Sequence, residues 1–381
     1  MILFLGSGIS LSSGLPTVGD IQDCLLDDNA PTRIKVFFEE LIKLDENYLI
    51  KSAPFKRSDG TYGYTGQLFR EKTTYEDLFY LTDQIIINAV GLRANVTIET
   101  FVEVIRKRCR KVLNGRRIED QLIDLHKLAK EAKSYIESKV FSLLYKATSE
   151  INGLDLILEL AKSTYLSNLN IVTLNHDTLV EQILINENIS FSDGFGAPDG
   201  DIRYFEDSFS SENKIKIIKL HGSISWWKQN SSKIIQPKDI TDKSPHLWKA
   251  KSNNRVLDVS STPSFLTGIN KIYSYNMGIY ADHNYQFLHL LRNENIMLMS
   301  GYGWGDIPLN NQLKNWFNRD KKNTLVLLHK KNKNMDEINL YYSSLEFREI
   351  YKAYLKNKQI IHIDKWLSEV TLSEIEEYFN Y

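Results

Sequence analysis

The sequence predicts an α/β fold built on a parallel sheet, interrupted after its first strand by a helical module. Three observations carry this. Four apolar residues, Ile2 to Leu5, run directly into Gly6-Ser7-Gly8, and a short apolar run that stops at glycines reads as a buried parallel strand ending in a loop. From Leu169 onward, strand-like runs alternate with helical periodicity, the pattern of a parallel sheet. Between these regions lie about 145 residues of mainly helical pattern, where a doubly wound sheet would return within ~30 residues.

The elements follow in order. After the first strand, residues 9–16 (ISLSSGLP) are too rich in Ser, Gly and Pro for a settled helix, and Thr17 with Asp20 marks a helix start. Residues 20–50 carry helical spacing, interrupted at Pro31, and residues 51–66 read as a loop or small hairpin. Helical pattern returns over 67–113, stops at the Asn114-Gly115 turn and continues over 118–146. NIVTLNHDTLVEQ reads as a buried strand, a polar turn and a helix, with the Gly-rich loop SDGFGAPDGD after it. KIKIIKL (214–220) is a strand ending at His221-Gly222; residues 230–285 carry no assignable pattern. YQFLHLLRNENIMLMSGYGWGD reads as helix, turn, strand and glycine loop. QLKNWFNR begins a helix, NTLVLLHKK is a strand, LEFREIYKAYLKN a helix, QIIHID a short strand and TLSEIEEYFNY a terminal helix.

Composition removes several function classes. A chain of 381 residues accommodates one large domain with an insertion, or two domains. A net charge of −1 gives no global electrostatic case for nucleic-acid binding. Arg106, Lys107, Arg108, Arg110, Lys111, Arg116 and Arg117 form a basic cluster, but Glu103, Glu119 and Asp120 balance much of it, so it reads as a solvated helix face. Two cysteines, Cys24 and Cys109, are too few for a four-thiolate zinc site. Cys109, inside the basic cluster, is either activated by it or simply buried and inert. No run reaches the ~18 apolar residues a membrane span needs, and no signal-peptide pattern opens the chain. A reducing cytoplasm is the expected location.

Ligands of open α/β sheets bind beyond the carboxyl ends of the strands. Four loops lie there: Gly6–Pro16, Asn175–Asp177, His221–Trp227 and Gly301–Asp306. Gly6 and Gly8 supply G-x-G for close backbone approach to a pyrophosphate, with backbone N–H groups for an anion. Leu11 stands where the third glycine of the dinucleotide fingerprint belongs, so an ordinary strand-to-helix turn stays open. Asn175 offers an acceptor and two donors, enough to position a ribose hydroxyl and a water, and Asp177 can accept a carboxamide N–H. Both residues equally suit capping of the following helix. His176 alternates with them and reads as structural. His221 is either a general base with a pKa suited to neutral pH or a satisfied core histidine.

The whole string Gly6-Ser7-Gly8-Ile9-Ser10-Leu11-Ser12-Ser13-Gly14-Leu15-Pro16 resembles the sirtuin loop G-A-G-x-S-x-x-S-G-I-P. In sirtuin order it is followed by T-x-N-x-D (Thr173, Asn175, Asp177), by H-G (His221, Gly222) and by a late glycine-containing strand end. The last, Gly301-Tyr302-Gly303-Trp304-Gly305-Asp306, is similar to the G-Y-S-x-x-D motif of bacterial sirtuin-like proteins, and Asn310 matches the Asn beyond it. These motifs span residues 6 to 310.

The residue pattern divides the chain into residues 1–30 and 151–381, which carry the sheet, and residues 31–150, an inserted helical module that the motifs do not cover; the resemblance implies that the sheet is Rossmann-like and sirtuin-type. It implies NAD as ligand and substrate, contacted by Gly6, Ser7, Gly8, Ile9, Ser10, Gly14, Pro16, Asp177, Gly301, Tyr302 and Asp306, with Asn175 and His221 catalytic. The two zinc-binding Cys-x-x-Cys pairs of sirtuin deacylases are missing, since no cysteine follows Cys109, and Thr17-Val18-Gly19 replaces the usual P-x-F-R continuation. These departures resemble the zinc-free sirtuin-like effectors of bacterial anti-phage systems, which hydrolyse NAD to nicotinamide and ADP-ribose, and most of all the members paired with a HerA-type ATPase. The implied protein is a homo-oligomeric NAD glycohydrolase without zinc, restrained by assembly or by a HerA-type partner, meeting nucleic acid indirectly if at all and making no membrane contact. NAD-dependent protein deacylation or ADP-ribosylation, and a non-catalytic NAD- or ADP-ribose-binding subunit, are the alternatives.

Overall fold

The structure is a computed structural model that describes residues 1–27, 29–49, 55–56, 62–63, 73–89, 96–145, 150–209, 213–229, 233–237, 250–252, 255–257, 259–267, 271, 275–330 and 352–379. The chain divides into two compact units. One comprises Met1–Leu15, Leu144–Leu266 and Lys271–Tyr381; the other comprises Pro16–Leu143 and Thr267–Asn270.

The chain opens on β1 (Ile2–Leu5), a 3₁₀ turn (Ser7–Ser13) and then the helical unit. Helix α1 (Val18–Leu25) begins at a reciprocal cap. Thr17 Oγ1 accepts the Asp20 N–H at 3.2 Å, and Asp20 Oδ2 accepts the Thr17 N–H at 2.8 Å. Helix α2 (Thr32–Leu49), the two-stranded ribbon of β2 (Phe55–Lys56) and β3 (Tyr62–Gly63), and helices α3 (Tyr75–Ala89), α4 (Val96–Arg108) and α5 (Ile118–Leu144) follow. Phe37, Phe38, Leu41, Leu78, Ile105, Leu125, Leu128 and Ile136 are buried in this unit.

The basic cluster is partly structural. Arg106 is buried and donates to Glu103 and Gln121, and Arg117 pairs with Asp120. Cys109 is fully buried, and burial pushes its thiol up to about 12, so the activated reading is replaced by the inert one. Residues 67–72 and 90–95 of the expected helical stretch lie outside the described residues.

The other unit adds, in chain order, α6 (Asp155–Lys162), β4 (Leu169–Thr173), α7 (Leu179–Asn186), β5 (Gly194–Phe195), β6 (Ile202–Ser208), β7 (Ile215–Lys219), β8 (Gly222–Gln229) and β9 (Ile234–Pro237). Next come the ribbon of β10 (Ala250–Ser252) and β11 (Arg255–Leu257), then β12 (Val259–Phe265), α8 (Gly278–Asn293), β13 (Ile296–Ser300), α9 (Ile307–Arg319), β14 (Thr324–Leu328) and β15 (Ile360–Ile363).

Six strands form a parallel sheet in the order β15-β14-β13-β1-β4-β7. Counted along the chain, that is the doubly wound order of dinucleotide-binding sheets, with winding reversed at β1. The Rossmann-like α/β fold expected from the sequence is therefore present. Burial on both faces explains the continuous apolar strands. Ile2 and Phe4 pack with Phe287, Leu313 and Trp316 on one face, while Leu3 and Leu5 pack with Ile157, Leu160 and Leu184 on the other. Each such side chain contributes about 1.5–3 kcal/mol.

Two elements differ from expectation. His221–Trp227 is not one loop: a two-residue turn at Leu220-His221 leads straight into β8, and Gly222, at φ +79°, makes the bend. Strand β8 belongs to a five-stranded sheet, β12-β8-β9-β6-β5, whose neighbours pair antiparallel. Trp226 and Trp227 are buried there, which a solvent loop would not allow. The C-terminal segment forms short 3₁₀ turns (Leu372–Glu374 and Glu376–Phe379) instead of a helix. Leu372, Ile375 and Tyr378 pack on one core cluster at a spacing of three, which matches three residues per turn. Of the helix expected at 345–357, residues 352–356 are helical and residues 345–351 lie outside the described residues.

Candidate active site

The loops after β1, β4, β7 and β13 meet at the carboxyl edge of the parallel sheet, where the winding reverses. Gly6 and Gly8 are explained by packing between two of them. The Gly6 N–H donates to Ser300 O at 2.9 Å and the Gly8 N–H to Gly301 O at 3.0 Å. A Cβ on Gly6 would sit 2.4 Å from Gly301 O and 2.6 Å from Tyr302 Cα; one on Gly8 would sit 2.8 Å from Gly301 Cα. Gly301 itself has φ +71°, and a Cβ there would lie 2.6 Å from Ile9 N. Three glycines thus let the first and last site loops touch backbone to backbone. Gly6→Ala is expected to lower stability by about 3 kcal/mol, the upper part of the range for single substitutions; an unchanged urea midpoint would contradict this packing role.

The 3₁₀ turn delivers Ser10. Its hydroxyl donates to Asp177 Oδ2 at 2.7 Å and accepts from Asn175 Nδ2 at 3.0 Å. Since the hydroxyl proton goes to the carboxylate, the Ser10 lone pair must meet an N–H, and this fixes the orientation of the Asn175 amide. The consequence is that Asn175 Oδ1, buried, has no partner. Buried carbonyl groups are normally paired, so this atom is an acceptor directed at something else. Asp177 Oδ1 also accepts the Leu179 N–H at 3.1 Å, so Asp177 joins the first residue of α7 to the Ser10 loop.

Beneath this turn lies an ion pair the sequence reading missed. Lys219 Nζ reaches Asp177 O at 2.5 Å and Glu181 Oε1 at 2.8 Å, with both side chains 3% exposed. Burial raises the Glu181 carboxyl and the Lys219 ammonium opposes it; the net direction is up. Its signal was a lysine closing a buried strand and a glutamate inside an otherwise buried helix.

His221 occupies the turn between the two sheets. Its Nε2 lies 2.5 Å from Tyr275 Oη and 3.0 Å from Asp306 Oδ2, and Tyr275 Oη donates to the same Oδ2 at 2.9 Å. Burial raises the Asp306 carboxyl, but the hydrogen bond and charge of His221 outweigh it, so the carboxyl is held well below its usual range. His176 links this cluster to the first: its ring centroid lies 6.2 Å from that of His221 and 4.8 Å from that of Phe265, and its carbonyl accepts from Ile224 N. Burial and the nearby His221 hold His176 far below its ordinary pKa, in keeping with a structural place.

The remaining expected site residues fall as follows. Ser7 is exposed in the loop; Ile9 is buried in the core; Gly14, at φ +71°, closes the 3₁₀ turn; Pro16 begins the helical unit. Tyr302 is buried, donating to Asn310 Oδ1 at 2.8 Å and packing on Phe4. Tyr275 was missed because it lies in the stretch without assignable pattern, and nothing in its neighbours marks it. Among the described residues no group of three or more His, Cys, Asp or Glu side chains is arranged to hold a metal, and no helix is long and apolar enough to cross a membrane.

Residues 169–350 match a family model described as a SIR2-like domain. The match begins at β4, so it takes in Asn175, Asp177, His221 and Gly301–Asp306, while the glycine loop at 6–16 lies outside it. Comparison with curated proteins gives no match. Among solved structures, a Sir2 homolog–NAD complex is 12% identical, with 99% of this chain and 88% of that chain covered and a TM-score of 0.41. A Sir2–p53 peptide–NAD+ complex is 12% identical, with 100% and 93% covered and a TM-score of 0.38.

Proposed function

We propose that this protein hydrolyses NAD at the nicotinamide–ribose bond, giving nicotinamide and ADP-ribose. The observation that carries the reading is the unpartnered, buried Asn175 carbonyl after β4, at the point of the sheet where dinucleotides bind, with a carboxylate-bound histidine after the neighbouring strand β7. The SIR2-like match over residues 169–350 supports it.

In this reading the loop at 6–16 borders the pyrophosphate and Asp177 accepts from the nicotinamide carboxamide. The C1′–nitrogen bond breaks, nicotinamide leaves as a neutral molecule, and the ribose becomes oxocarbenium-like. Asn175 Oδ1 accepts a hydrogen bond from the attacking water and orients its oxygen toward C1′. His221 takes the proton the water gives up as the new C1′–oxygen bond forms, and releases it to solvent. The site's main task is to stabilise positive charge on the sugar with fixed dipoles.

The motif resemblance supports the wider reading: a cytoplasmic, homo-oligomeric anti-phage effector that depletes NAD together with a HerA-type ATPase. The test is to incubate the purified chain with NAD, alone and with such an ATPase, and to follow products by chromatography. Equal amounts of nicotinamide and ADP-ribose are expected. O-acyl-ADP-ribose formed from an acyl-lysine peptide would instead establish a deacylase, and tight NAD binding without turnover in either mixture would establish a binding subunit.

A further inference from the structure

We infer that Asp306 and Tyr275 are positioning residues for His221: together they fix its ring and hold a proton on Nε2, which leaves Nδ1 as the nitrogen that accepts a proton. The role assigned to that nitrogen rests on the hydrolase reading above; the placement of the ring does not.

Three polar atoms form a closed triangle: His221 Nε2, Tyr275 Oη and Asp306 Oδ2, with sides of 2.5, 2.9 and 3.0 Å. An ionised carboxylate only accepts. Tyr275 has one proton, and it goes to Oδ2. A bare Nε2 would then direct its lone pair at a carboxylate and at a phenol oxygen whose proton is spent. A protonated Nε2 satisfies every side of the triangle. The ring's acceptor nitrogen is then Nδ1.

The carboxylate is itself anchored. Asp306 Oδ1 accepts the Leu309 N–H at 3.0 Å as the N-cap of α9, a helix of 13 residues. The positive end of that helix favours the ionised form. The carboxyl group is 6% exposed, and both of its oxygens are committed within the protein. Bonded to the protein through both oxygens, the carboxylate is a fixed support for the ring.

Other charged or titratable groups share the cluster. His176 from the turn after β4 faces the His221 ring; Lys271, before α8, acts on both His176 and Asp306; Lys219, at the end of β7, acts on His176. All three are cationic when charged, so Asp306 is the group among them that favours a charged imidazole.

The test uses the full chain with isotope-labelled histidine, the His221 resonances being assigned by their loss in His221→Gln. Asp306→Asn keeps the helix cap, since Asn caps as well as Asp, and removes the charge. The expected results are Nε2 protonation in the neutral wild-type ring and, in Asp306→Asn, a His221 titration midpoint lower by about one unit or more. Nicotinamide release should fall by about 100-fold, mostly in kcat, with the acid limb of the pH profile moving the same way. Tyr275→Phe leaves the cap untouched and should give a smaller shift in the same direction, which keeps the test open should Asp306→Asn fold poorly. An unmoved His221 titration in both variants, or a loss carried by KM alone, overturns the inference. If the wild-type chain cleaves no NAD, the hydrolase reading fails while the histidine titration still decides the placement.

Discussion

Asn175→Ala is expected to lower nicotinamide release by about 10²- to 10³-fold, the effect of removing one preorganised polar group from a reacting centre. The fold should survive. Asn175 contributes one side-chain bond, to Ser10, and Ser10 keeps its bond to Asp177 when the amide is gone. The cost to stability is therefore about 1–2 kcal/mol, one buried hydrogen bond and a small cavity. The measurement is a single-turnover assay of nicotinamide with a urea midpoint on the same sample. Release within threefold of wild type would remove Asn175 from the mechanism. Ser10→Ala provides a graded comparison. It leaves Asn175 in place but frees the amide to rotate, so its loss should fall between wild type and Asn175→Ala.

The same residues show what the sequence made legible. β1 was readable because both faces of a central parallel strand are apolar, so Ile2–Leu5 needs no periodicity to be recognised. Asn175, Asp177 and His221 were readable because the chain places polar residues directly after such strands. The reason for the glycines was only partly readable. Gly6 and Gly8 pack against Gly301, about 300 residues away along the chain, and a short glycine motif cannot announce a partner so distant. The antiparallel sheet was hidden for a related reason. Two of its pairings, β6 with β9 and β8 with β12, join strands separated by roughly 25–30 residues, so neither strand announces its partner. Tyr275 entered the site through that tertiary arrangement and no local rule would have chosen it. Asp306 was found by motif, yet its committed oxygens could be known only once Leu309, Tyr275 and His221 were seen around it.

Lys219→Met is expected to destabilise the protein by about 3–5 kcal/mol, because it strips the partner from a buried carboxylate. Glu181 would stay buried in α7 without the ammonium that balances its charge. Replacing both residues, Lys219→Met with Glu181→Leu, removes the charges together and should recover most of the loss. The pH dependence has a definite sign. Burial already raises the Glu181 carboxyl above the ordinary value of 4.5, and losing the ammonium raises it further. The native state of Lys219→Met then holds a proton that the unfolded chain releases near pH 4.5. Its deficit relative to wild type is therefore largest at neutral pH and shrinks as pH falls toward 4.5. Urea denaturation of the three proteins at pH 5 and pH 7 measures this. A deficit below about 1 kcal/mol at pH 7, or a double variant no more stable than the single one, would sink the account. The double variant also separates stability from catalysis. It folds, but Asp177 O has lost the ammonium that ties the Asn175–Asp177 turn to β7. Nicotinamide release should stay below wild type even where the urea midpoint has recovered, because the turn that aims Asn175 Oδ1 has lost one of the contacts that fix it.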